Sequence, residues 1–535
     1  APGRSQASSA PPGGSAVHAV TSVGATLPGY AELHCLTNFS FQRGASHPEE
    51  LVERAQALGY EALAITDECS VAGVVRAWTA LRDQRQRSAQ ARAADPGAGS
   101  GMEMGEVRPF RLLLGSEFAF GRNRLVAIAR NLNGWGNLCE FITTARRAAP
   151  KGQYRVEPTW FRRQPLADCE ILFVPQRGSQ NTIDLEAICD HLKGANAVFD
   201  QQIWLATEWV HGLDDDLWLA TLREAGARTG VPLVAAGDVH MHVRSRKVLQ
   251  DVLTAVRLGQ PVAECGMALQ PNAERRLRHR LQLPRTFPPE LLANTLEVAR
   301  RCTFELDEIR YNYPRETVPP GLTPTQALRR FTLEGAHTRY PQGLPCKLRR
   351  ALVKELRLIA ECGYEMFFLT VHDIVCFARS QHILCQGRGS AANSAVCFCL
   401  GITAVDPMHS HLLLERFISH ARRHEPPDID VDFEHERREE VIQYIYRKYG
   451  RERAAIAAVV ITWRTRSAVR DVGKALGLPG PLIEAFAKEH QWFDKGLLTD
   501  RLRAGVAADD PRIALWLDLT RQIIGFPRHL SQHVG

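Results

Sequence analysis

The chain has 535 residues, of which 45% are hydrophobic and 23% are charged. These are ordinary globular proportions, and the length predicts about two to four domains. The formal net charge of +7 is compatible with a nucleic-acid partner without demonstrating one. Thirteen cysteines without a C-x-x-C pair indicate reduced thiols of a cytoplasmic protein. The sequence has no long apolar run and no signal peptide, which argues against membrane insertion and secretion.

Residues 1–29 are rich in Ala, Ser, Gly and Pro, a composition that predicts a disordered tail. From Tyr30 onward, predicted strands alternate with helices, which indicates a parallel α/β barrel or sheet. The predicted strands are Leu63–Thr66, Leu112–Leu114, Leu125–Ala129, Ile171–Val174, Ile203–Leu205 and Leu233–Ala236, and the helices include Pro48–Leu58 and Leu217–Thr229.

Polar residues follow the ends of these strands, where active residues of such folds lie. They are Asp67, Glu68, Glu117, His211, Asp238 and His240, preceded by His34 in the triplet His34-Cys35-Leu36. This set resembles the polymerase and histidinol phosphatase (PHP) domain, whose intact members hold a metal cluster for phosphoester hydrolysis.

Three positions depart from that family's pattern. The resemblance implies histidines where Leu36, Glu68 and Arg124 stand. An arginine cannot ligate a metal and adds positive charge where cations would sit. We therefore expect a structural domain with at most residual metal binding. A lone histidine such as His240 or His242 is more often a satisfied polar group than a ligand.

The sequence pattern changes at two places after the first predicted strands. Residues 86–107 lack a convincing period and predict a mobile surface insertion. The arginine-rich and proline-rich stretch from residue 266 indicates that a PHP-like domain of residues 30–265 ends there. Beyond it we predict helices at Thr325–His337 and Lys347–Cys362, then a buried strand or helix start at Tyr364–Val371.

A glycine-rich turn follows, Gly387-Arg388-Gly389-Ser390, before the apolar run Ala395–Leu400. Glycines before a helix let backbone N–H groups approach phosphate oxygens, and a helix start favours negative charge. Such a turn is weak evidence by itself.

The stretch from Asp428 to Phe433 alternates with period two and predicts a strand. Asp428, Asp430 and Asp432 then share one face, while the apolar residues between them face a core. Three carboxylates on one face repel each other unless cations lie among them. Hard oxygen ligands suit magnesium, and two such ions form the clamp used in nucleotidyl transfer. The alternative is a solvated edge strand with an acidic face.

The turn and the aspartate strand together resemble the palm of β-type nucleotidyltransferases. The segment from Leu356 to Leu476 resembles the palm and thumb entry of the C-family bacterial DNA polymerases, relatives of the replicative polymerase III α subunit. Residues 32–41 and 425–446 resemble the error-prone branch, which acts in damage-induced mutagenesis and translesion synthesis beside mutasome accessory proteins. The resemblance implies an α/β multidomain chain, with a PHP-type (β/α) barrel, a palm at 266–458 and a helical thumb at 459–535.

The same resemblance assigns roles to residues of this chain. Asp428 and Asp430 would hold two magnesium ions, one activating the primer 3′-hydroxyl and one binding the triphosphate, with Asp432 in support. The triphosphate would face Arg388, Gly389, Ser390, Arg416 and either Arg422 or Arg423. For Arg416 an ion pair with Glu415 is the alternative. The primer-template backbone would contact Arg464, Arg466 and Arg470.

In the family, a third carboxylate, the fingers and the sliding-clamp motif lie beyond residue 535. We therefore expect a fragment with little polymerase activity alone, whose full-length form uses DNA and deoxynucleoside triphosphates. Two alternatives remain open. One is a PHP-type phosphoesterase or 3′ exonuclease, and the other is a non-catalytic DNA-binding scaffold.

Overall fold

The computed structural model describes residues 27–94, 109–177, 182–199, 203–310, 312–406, 417–418, 427–489 and 511–532. The chain divides into two compact units, Ala1–Glu308 with Thr462–His529, and Ile309–Ile461 with Leu530–Gly535. The units therefore divide after residues 308 and 461, whereas the sequence predicts domain boundaries after residues 265 and 458. Within the described ranges, no helix is long and apolar enough to cross a membrane.

The first unit is built on a seven-stranded sheet whose strands follow one another in chain order. The strands are β1 (Ala31–Glu32), β2 (Ala62–Ile65), β3 (Arg111–Phe120), β4 (Asn123–Ala129), β5 (Cys169–Val174), β6 (Ile203–Glu208) and β7 (Leu233–Ala236). All six predicted strands are present, and β3 extends six residues beyond its predicted end. Continuous apolar runs such as Ile171–Val174 are buried on both faces, as central strands of α/β sheets are.

Strand β4 runs antiparallel to both neighbours, so the prediction of a wholly parallel sheet is wrong there. Phe120 pairs with Asn123, which leaves Gly121 and Arg122 as a two-residue loop. A two-residue loop can join only antiparallel strands, because a parallel connection needs a crossover of a dozen or more residues. Gly121 has φ +60°, the left-handed conformation that such hairpin loops require.

Helices pack on this sheet through their apolar faces. They are α1 (Pro48–Ala57), α2 (Val74–Ala94), α3 (Leu132–Arg147), α4 (Leu185–Phe199), α5 (Asp215–Thr229), α6 (Lys247–Leu258), α7 (Leu283–Thr286) and α8 (Pro289–Arg301). The predicted insertion at 86–107 begins inside α2, and its residues 95–107 lie outside the described residues. Residues 85–90 of α2 are all exposed, which explains why no apolar period marks this helical end.

The two ends of the sheet approach each other near Glu32. The backbone of Cys35 bridges to Val239, and the Leu36 N–H donates to the Val239 carbonyl at 2.8 Å. The buried carboxylate of Glu32 accepts from the N–H groups of His34 (3.0 Å) and Gly237 (2.9 Å). The sheet is therefore nearly closed into a barrel, and the carboxyl ends of its parallel strands meet at one mouth together with the amino end of β4.

A third layer of the first unit comes from the end of the chain. It consists of α14 (Thr465–Ala475), α15 (Gly480–Glu489) and α16 (Pro511–Ile523). Trp463 and Trp516 are fully buried in one core with Leu249 and Val252 of α6. Trp516 Nε1 donates to the Val469 carbonyl at 3.0 Å. The segment predicted as the thumb entry thus shares a hydrophobic core with the barrel unit.

The second unit is mostly helical. It contains α9 (Pro324–Arg339), α10 (Cys346–Cys362), α11 (Glu365–Ser380), α12 (Ala395–Cys399) and α13 (Arg438–Tyr449), with strands β8 (Cys385–Arg388) and β9 (Asp430–Phe433). The ambiguous segment Tyr364–Val371 is the start of α11. Two more strands, β10 (Ala458–Thr462) and β11 (Pro527–Gln532), fall on the unit boundaries.

We predict that Trp516→Ala lowers the free energy of unfolding by about 3–5 kcal/mol, because it empties a fully buried site. Urea unfolding followed by circular dichroism would measure the change. The control is Leu515→Ala, at a neighbouring residue that is 37% exposed, with an expected loss below about 1 kcal/mol. Equal losses in both variants would contradict the packing of α16 into the barrel unit.

Candidate functional site

The glycine turn and the aspartate strand of the second unit lie side by side. Strands β8 and β9 pair antiparallel, with Arg388 opposite Asp430 and Gln386 opposite Asp432. Arg388 Nε donates to Asp432 Oδ1 at 2.9 Å, and Arg388 Nη1 lies 3.6 Å from Asp430 Oδ2. One guanidinium group therefore contacts both carboxylates, so Asp430 and Asp432 share a face of β9. Ion pairing with the exposed Asp432 and Asp430 raises the pKa of Arg388.

The opposite face of β9 is apolar, as the alternation predicts. Ile429 and Val431 pack against the core of the second unit, and Phe433 packs beside Val441 of α13. The aspartates point outward, with side chains 41% exposed at Asp430 and 58% at Asp432. These carboxylates are accessible to ions and ligands from solvent.

The turn between β8 and α12 lies beside Asp430. Gly389 has φ +68°, and a Cβ atom there would lie 3.4 Å from Asp430 Oδ2. Ser390 Oγ donates to the Asp428 carbonyl at 3.2 Å, which ties the turn to the residue that precedes β9 by two positions. Gly389, Ser390, Asp428 and Asp430 are thus brought together.

The first amides of α12 already have a partner. The buried carboxylate of Glu355 accepts from Ala395 N–H (2.9 Å) and Val396 N–H (3.0 Å), and from the Ser394 hydroxyl (2.9 Å). Burial raises the pKa of Glu355, and these hydrogen bonds offset the effect only in part. The sequence suggested that this helix start favours a phosphate. In the structure Glu355 takes that place, and the turn at Gly389 is what remains for a ligand.

The sequence also predicts contacts with the triphosphate and with DNA from six further arginines. Arg416, Arg422 and Arg423 lie outside the described residues. In the first unit, Arg464 and Arg466 are exposed at the start of α14. Arg470 instead forms a two-pronged ion pair with Glu484, with N–O distances of 2.9 and 2.6 Å.

A second cluster of polar residues lies at the barrel mouth of the first unit. His34 follows β1, and its ring nitrogens are hydrogen-bonded to Glu208 at 2.8 Å and to Glu117 at 2.7 Å. Burial opposes charge on His34, but the two carboxylates outweigh it and raise its pKa. Both carboxylates also face Arg124, so they stay ionised.

Arg124 lies at the centre of this cluster. Its guanidinium group donates to Glu117 at 3.1 Å, Glu208 at 2.8 Å and Asp238 at 3.1 Å. Burial would raise the pKa of Glu208, but Arg124 and His34 lower it to about 2. Burial would also raise the pKa of Glu117, but Arg43 and Arg124 hold it well below its ordinary value. A single arginine thus balances three carboxylates from three strands or strand ends.

Two further arginines complete the cluster. Arg43 pairs with Glu68 at 2.7 Å and with Glu117, and Arg275 pairs with Asp238. We call the set His34, Arg43, Glu68, Glu117, Arg124, Glu208, Asp238 and Arg275 the barrel-mouth network. Asp238 has φ +42°, a strained conformation for a residue with a side chain, which the surrounding contacts hold in place.

The remaining predicted residues fall around this network. His240 Nε2 is hydrogen-bonded to Asp238 at 3.0 Å and its Nδ1 to Gln250 at 2.8 Å. Burial, together with Arg43, lowers the pKa of His240 well below its ordinary value. Asp67 accepts hydrogen bonds from the Thr37 hydroxyl and N–H and from Ser40, so it supports the loop after β1. His211 is exposed and makes none of these contacts.

Sequence reasoning missed Glu208, Arg43 and Arg275. Glu208 is the last residue of β6. The rule that active residues lie at strand ends would identify it if the predicted strand continued as far as β6 does. No sequence pattern indicated Arg43 or Arg275 as part of this cluster. Arg43 lies 74 positions from Glu117, and Arg275 enters because the His240 N–H donates to its carbonyl at 2.9 Å.

A metal ion is a poor fit for this network, although part of its geometry suits one. One ligand atom each of His34, Glu208 and Asp238 lies within 4.8 Å of the others. However, Arg124 already donates to both carboxylates, and His34 already has a partner on each ring nitrogen. Leu36 is an apolar core residue where a further ligand would be required. The carboxylate oxygens that could ligate a metal are therefore already paired with guanidinium groups.

Two protein families match different parts of the chain. Residues 326–535 match the family described as bacterial DNA polymerase III alpha NTPase domain, and residues 32–191 match the PHP domain family. The chain thus carries a match to a PHP domain followed by a match to a bacterial DNA polymerase III alpha domain, the order that the resemblance to C-family polymerases predicts.

Among curated proteins, the chain is similar to error-prone DNA polymerases. It is 53% identical over 520 residues to that of Azoarcus sp. strain BH72 and 51% identical over 521 residues to that of Dechloromonas aromatica strain RCB. Both matches cover 95% of this chain, and 48% and 47% of the relatives. The chain thus spans about half the length of the curated relatives it matches.

Among solved structures, a metal-dependent phosphoesterase from Bifidobacterium adolescentis matches 40% of this chain and 89% of its own. The identity is 15% and the TM-score is 0.26. A TM-score that low carries no argument about this chain.

We predict that Arg124→Gln lowers the free energy of unfolding by about 3–5 kcal/mol, because it leaves buried carboxylates without their main cation. Thermal and urea unfolding would measure the loss. Arg122→Gln is the matched control, since Arg122 is exposed in the adjacent hairpin loop. The central role of Arg124 is wrong if the two variants unfold alike.

The same variant should shift acid unfolding. The pKa of Glu208 is about 2 in the fold against an ordinary 4.5, so its contribution is fully present above pH 4.5 and is lost as the pH falls toward 2. Without Arg124, burial raises the pKa of Glu208, and the contribution is lost at higher pH. Circular dichroism against pH should show an acid midpoint shifted upward in Arg124→Gln, with an unchanged midpoint counting against the assignment.

Proposed function

We propose that the second unit carries the palm of a DNA-directed DNA polymerase of the error-prone type. The observation that carries the proposal is the contact of Arg388, in the glycine turn, with Asp430 on a strand whose aspartates face outward. The similarity to error-prone polymerases along 95% of the chain supports this reading. Because the chain spans about half of those relatives, the activity is proposed for the full-length polypeptide.

Asp428 and Asp430 are the proposed metal ligands, and their exposed carboxylates are hard oxygen donors of the kind magnesium prefers. Two magnesium ions bound there would activate the primer 3′-hydroxyl and neutralise the triphosphate. Gly389 and Ser390 would hold phosphate oxygens through the turn. Arg388, oriented by Asp432, would stabilise the negative charge on the phosphates.

The proposed DNA contacts come from the start of α14. Arg464 and Arg466 are exposed and would pair with backbone phosphates of the primer-template. Arg470 is held by Glu484, so we propose that it supports α14. Arg416, Arg422 and Arg423 remain proposed triphosphate contacts.

The finer biological role is also a proposal. The name of the relatives supports synthesis of low accuracy. We propose in addition that this synthesis passes damaged template bases during DNA repair, in the cytoplasm of a bacterium. A sliding clamp and mutasome accessory proteins are the proposed partners of the full-length form.

For the barrel-mouth network we propose a structural role. Three arginines occupy the place where a hydrolytic metal cluster would bind, and each pairs with at least one carboxylate. The network would therefore hold the barrel ends together without hydrolysing a phosphoester.

We predict that Asp430→Asn slows primer extension at least about a hundredfold, the scale on which loss of one electrostatic group slows catalysis. The assay uses a polypeptide that continues this chain to the full length of its relatives, on undamaged and abasic templates, with and without EDTA. Extension should require the divalent ion and cross the abasic site.

Asp238→Ala serves as the matched control, because it removes a buried carboxylate of the barrel mouth. It should leave single-nucleotide incorporation within about threefold at a temperature where the variant is folded. Extension that survives Asp430→Asn would show that β9 is not the catalytic strand. Phosphatase or 3′ exonuclease activity lost only in Asp238→Ala would favour a working PHP site instead.

A further inference from the structure

A cavity of about 280 Å³ opens beside the barrel-mouth network. Arg43, Arg124, Arg257 and Arg275 line it, and Asp238 is the one carboxylate among the described residues of its lining. We propose that this cavity binds a phosphate-class oxyanion through arginines, without a metal and without hydrolysis. This inference does not depend on the proposed polymerase activity.

Three of the four arginines are paired with carboxylates. Arg124 and Arg43 pair with glutamates, and Arg275 pairs with Asp238 while its Nε donates to Gln270 Oε1 at 2.8 Å. Each guanidinium group has five N–H donors in a rigid fork, so such pairing leaves donors over for a ligand. These groups are therefore held in fixed positions around the cavity.

Arg257 differs from the other three. It lies on the last turn of α6, and no described residue forms a hydrogen bond or an ion pair with it. Burial of its stem and the neighbouring charge of Arg43 lower the pKa of Arg257, and Glu68 offsets this only in part. Positive charge is thus left uncompensated at the rim of the cavity, where an anion would relieve it.

A buried acceptor without a donor belongs to one of the residues that line the cavity. Gln250 lines it and is buried, and its Oε1 has no hydrogen-bond partner among the described residues. Hydrogen phosphate has both oxygens that accept from arginine and a P–OH group that donates to such an acceptor. Sulfate at neutral pH has no proton to donate. The combination favours a phosphate-class ligand over sulfate.

The size of the cavity narrows the ligand further. It lies just below the roughly 300–1,000 Å³ of pockets that enclose whole small molecules. Inorganic phosphate, pyrophosphate or the terminal phosphate of a nucleotide would enter it, while a whole nucleotide would not. The shared chemistry is a phosphoryl group with at least one free oxygen pair for a guanidinium fork.

The test is isothermal titration of the 535-residue chain with phosphate, pyrophosphate, deoxyadenosine monophosphate and sulfate, in chloride buffer with EDTA at constant ionic strength. We expect saturable binding of at least one phosphate-class ligand, tighter than sulfate, and the order among them identifies the source. Arg257→Gln should weaken it about tenfold, the equivalent of one charge-assisted hydrogen bond, and Arg257→Glu should weaken it more.

Arg285→Gln is the matched control, because Arg285 is an exposed arginine of the same unit that does not line the cavity. Its affinity should equal that of the unmodified chain. The proposal is overturned if no phosphate-class ligand binds, if sulfate binds as tightly, or if both arginine variants weaken binding equally. Binding that appears only when EDTA is replaced by Mn²⁺ would also overturn it, since recognition would then require a metal.

Discussion

A buried carboxylate needs hydrogen-bond donors or a cation, and the mouth of the barrel unit depends on cations for this. Glu117 and Asp238 are each only 1% exposed, and they lie in β3 and just after β7. Their repulsion would open the barrel mouth unless positive charge lay between them. Arg124 supplies that charge to three carboxylates at once, and the closing contacts of Glu32 and Val239 lie next to it. The interactions that hold the barrel of the first unit closed therefore also neutralise the charges at its mouth.

The second unit handles acidic residues in the opposite way. Asp430 and Asp432 are 41% and 58% exposed, so water screens their repulsion and no built-in cation is required. Arg388 contacts them from a strand edge and is itself 49% exposed. Such a pair exchanges readily with ions and ligands from solvent, whereas the buried pairs of Arg124 do not. The same residue types thus give a fixed structural network in one unit and an accessible surface in the other.

A feature of this structure could be predicted from the sequence where it depends on residues that are close together in the chain. Strand positions and the outward face of β9 could be predicted, because period two and apolar runs are local signals. The antiparallel direction of β4 follows from a two-residue loop, and no hairpin was predicted at that position. Glu355 capping α12 and Arg275 entering the barrel mouth could not be predicted, because each joins segments 35 or more residues apart that show no common pattern. The prediction for His211 rests on a strand that ends at Leu205, while β6 in fact continues to Glu208.

The arginines also explain why the barrel mouth cannot be regarded as a metal site with one altered ligand. Replacing Arg124 by histidine would restore one ligand, but Arg43 and Arg275 would still pair with Glu117 and Asp238. Leu36 would still present an apolar side chain to the core. A metal ion entering there would have to displace guanidinium groups that are already desolvated and hydrogen-bonded, and the displaced charges would be left buried. The network is self-consistent as it stands, and its stability resides in several residues together.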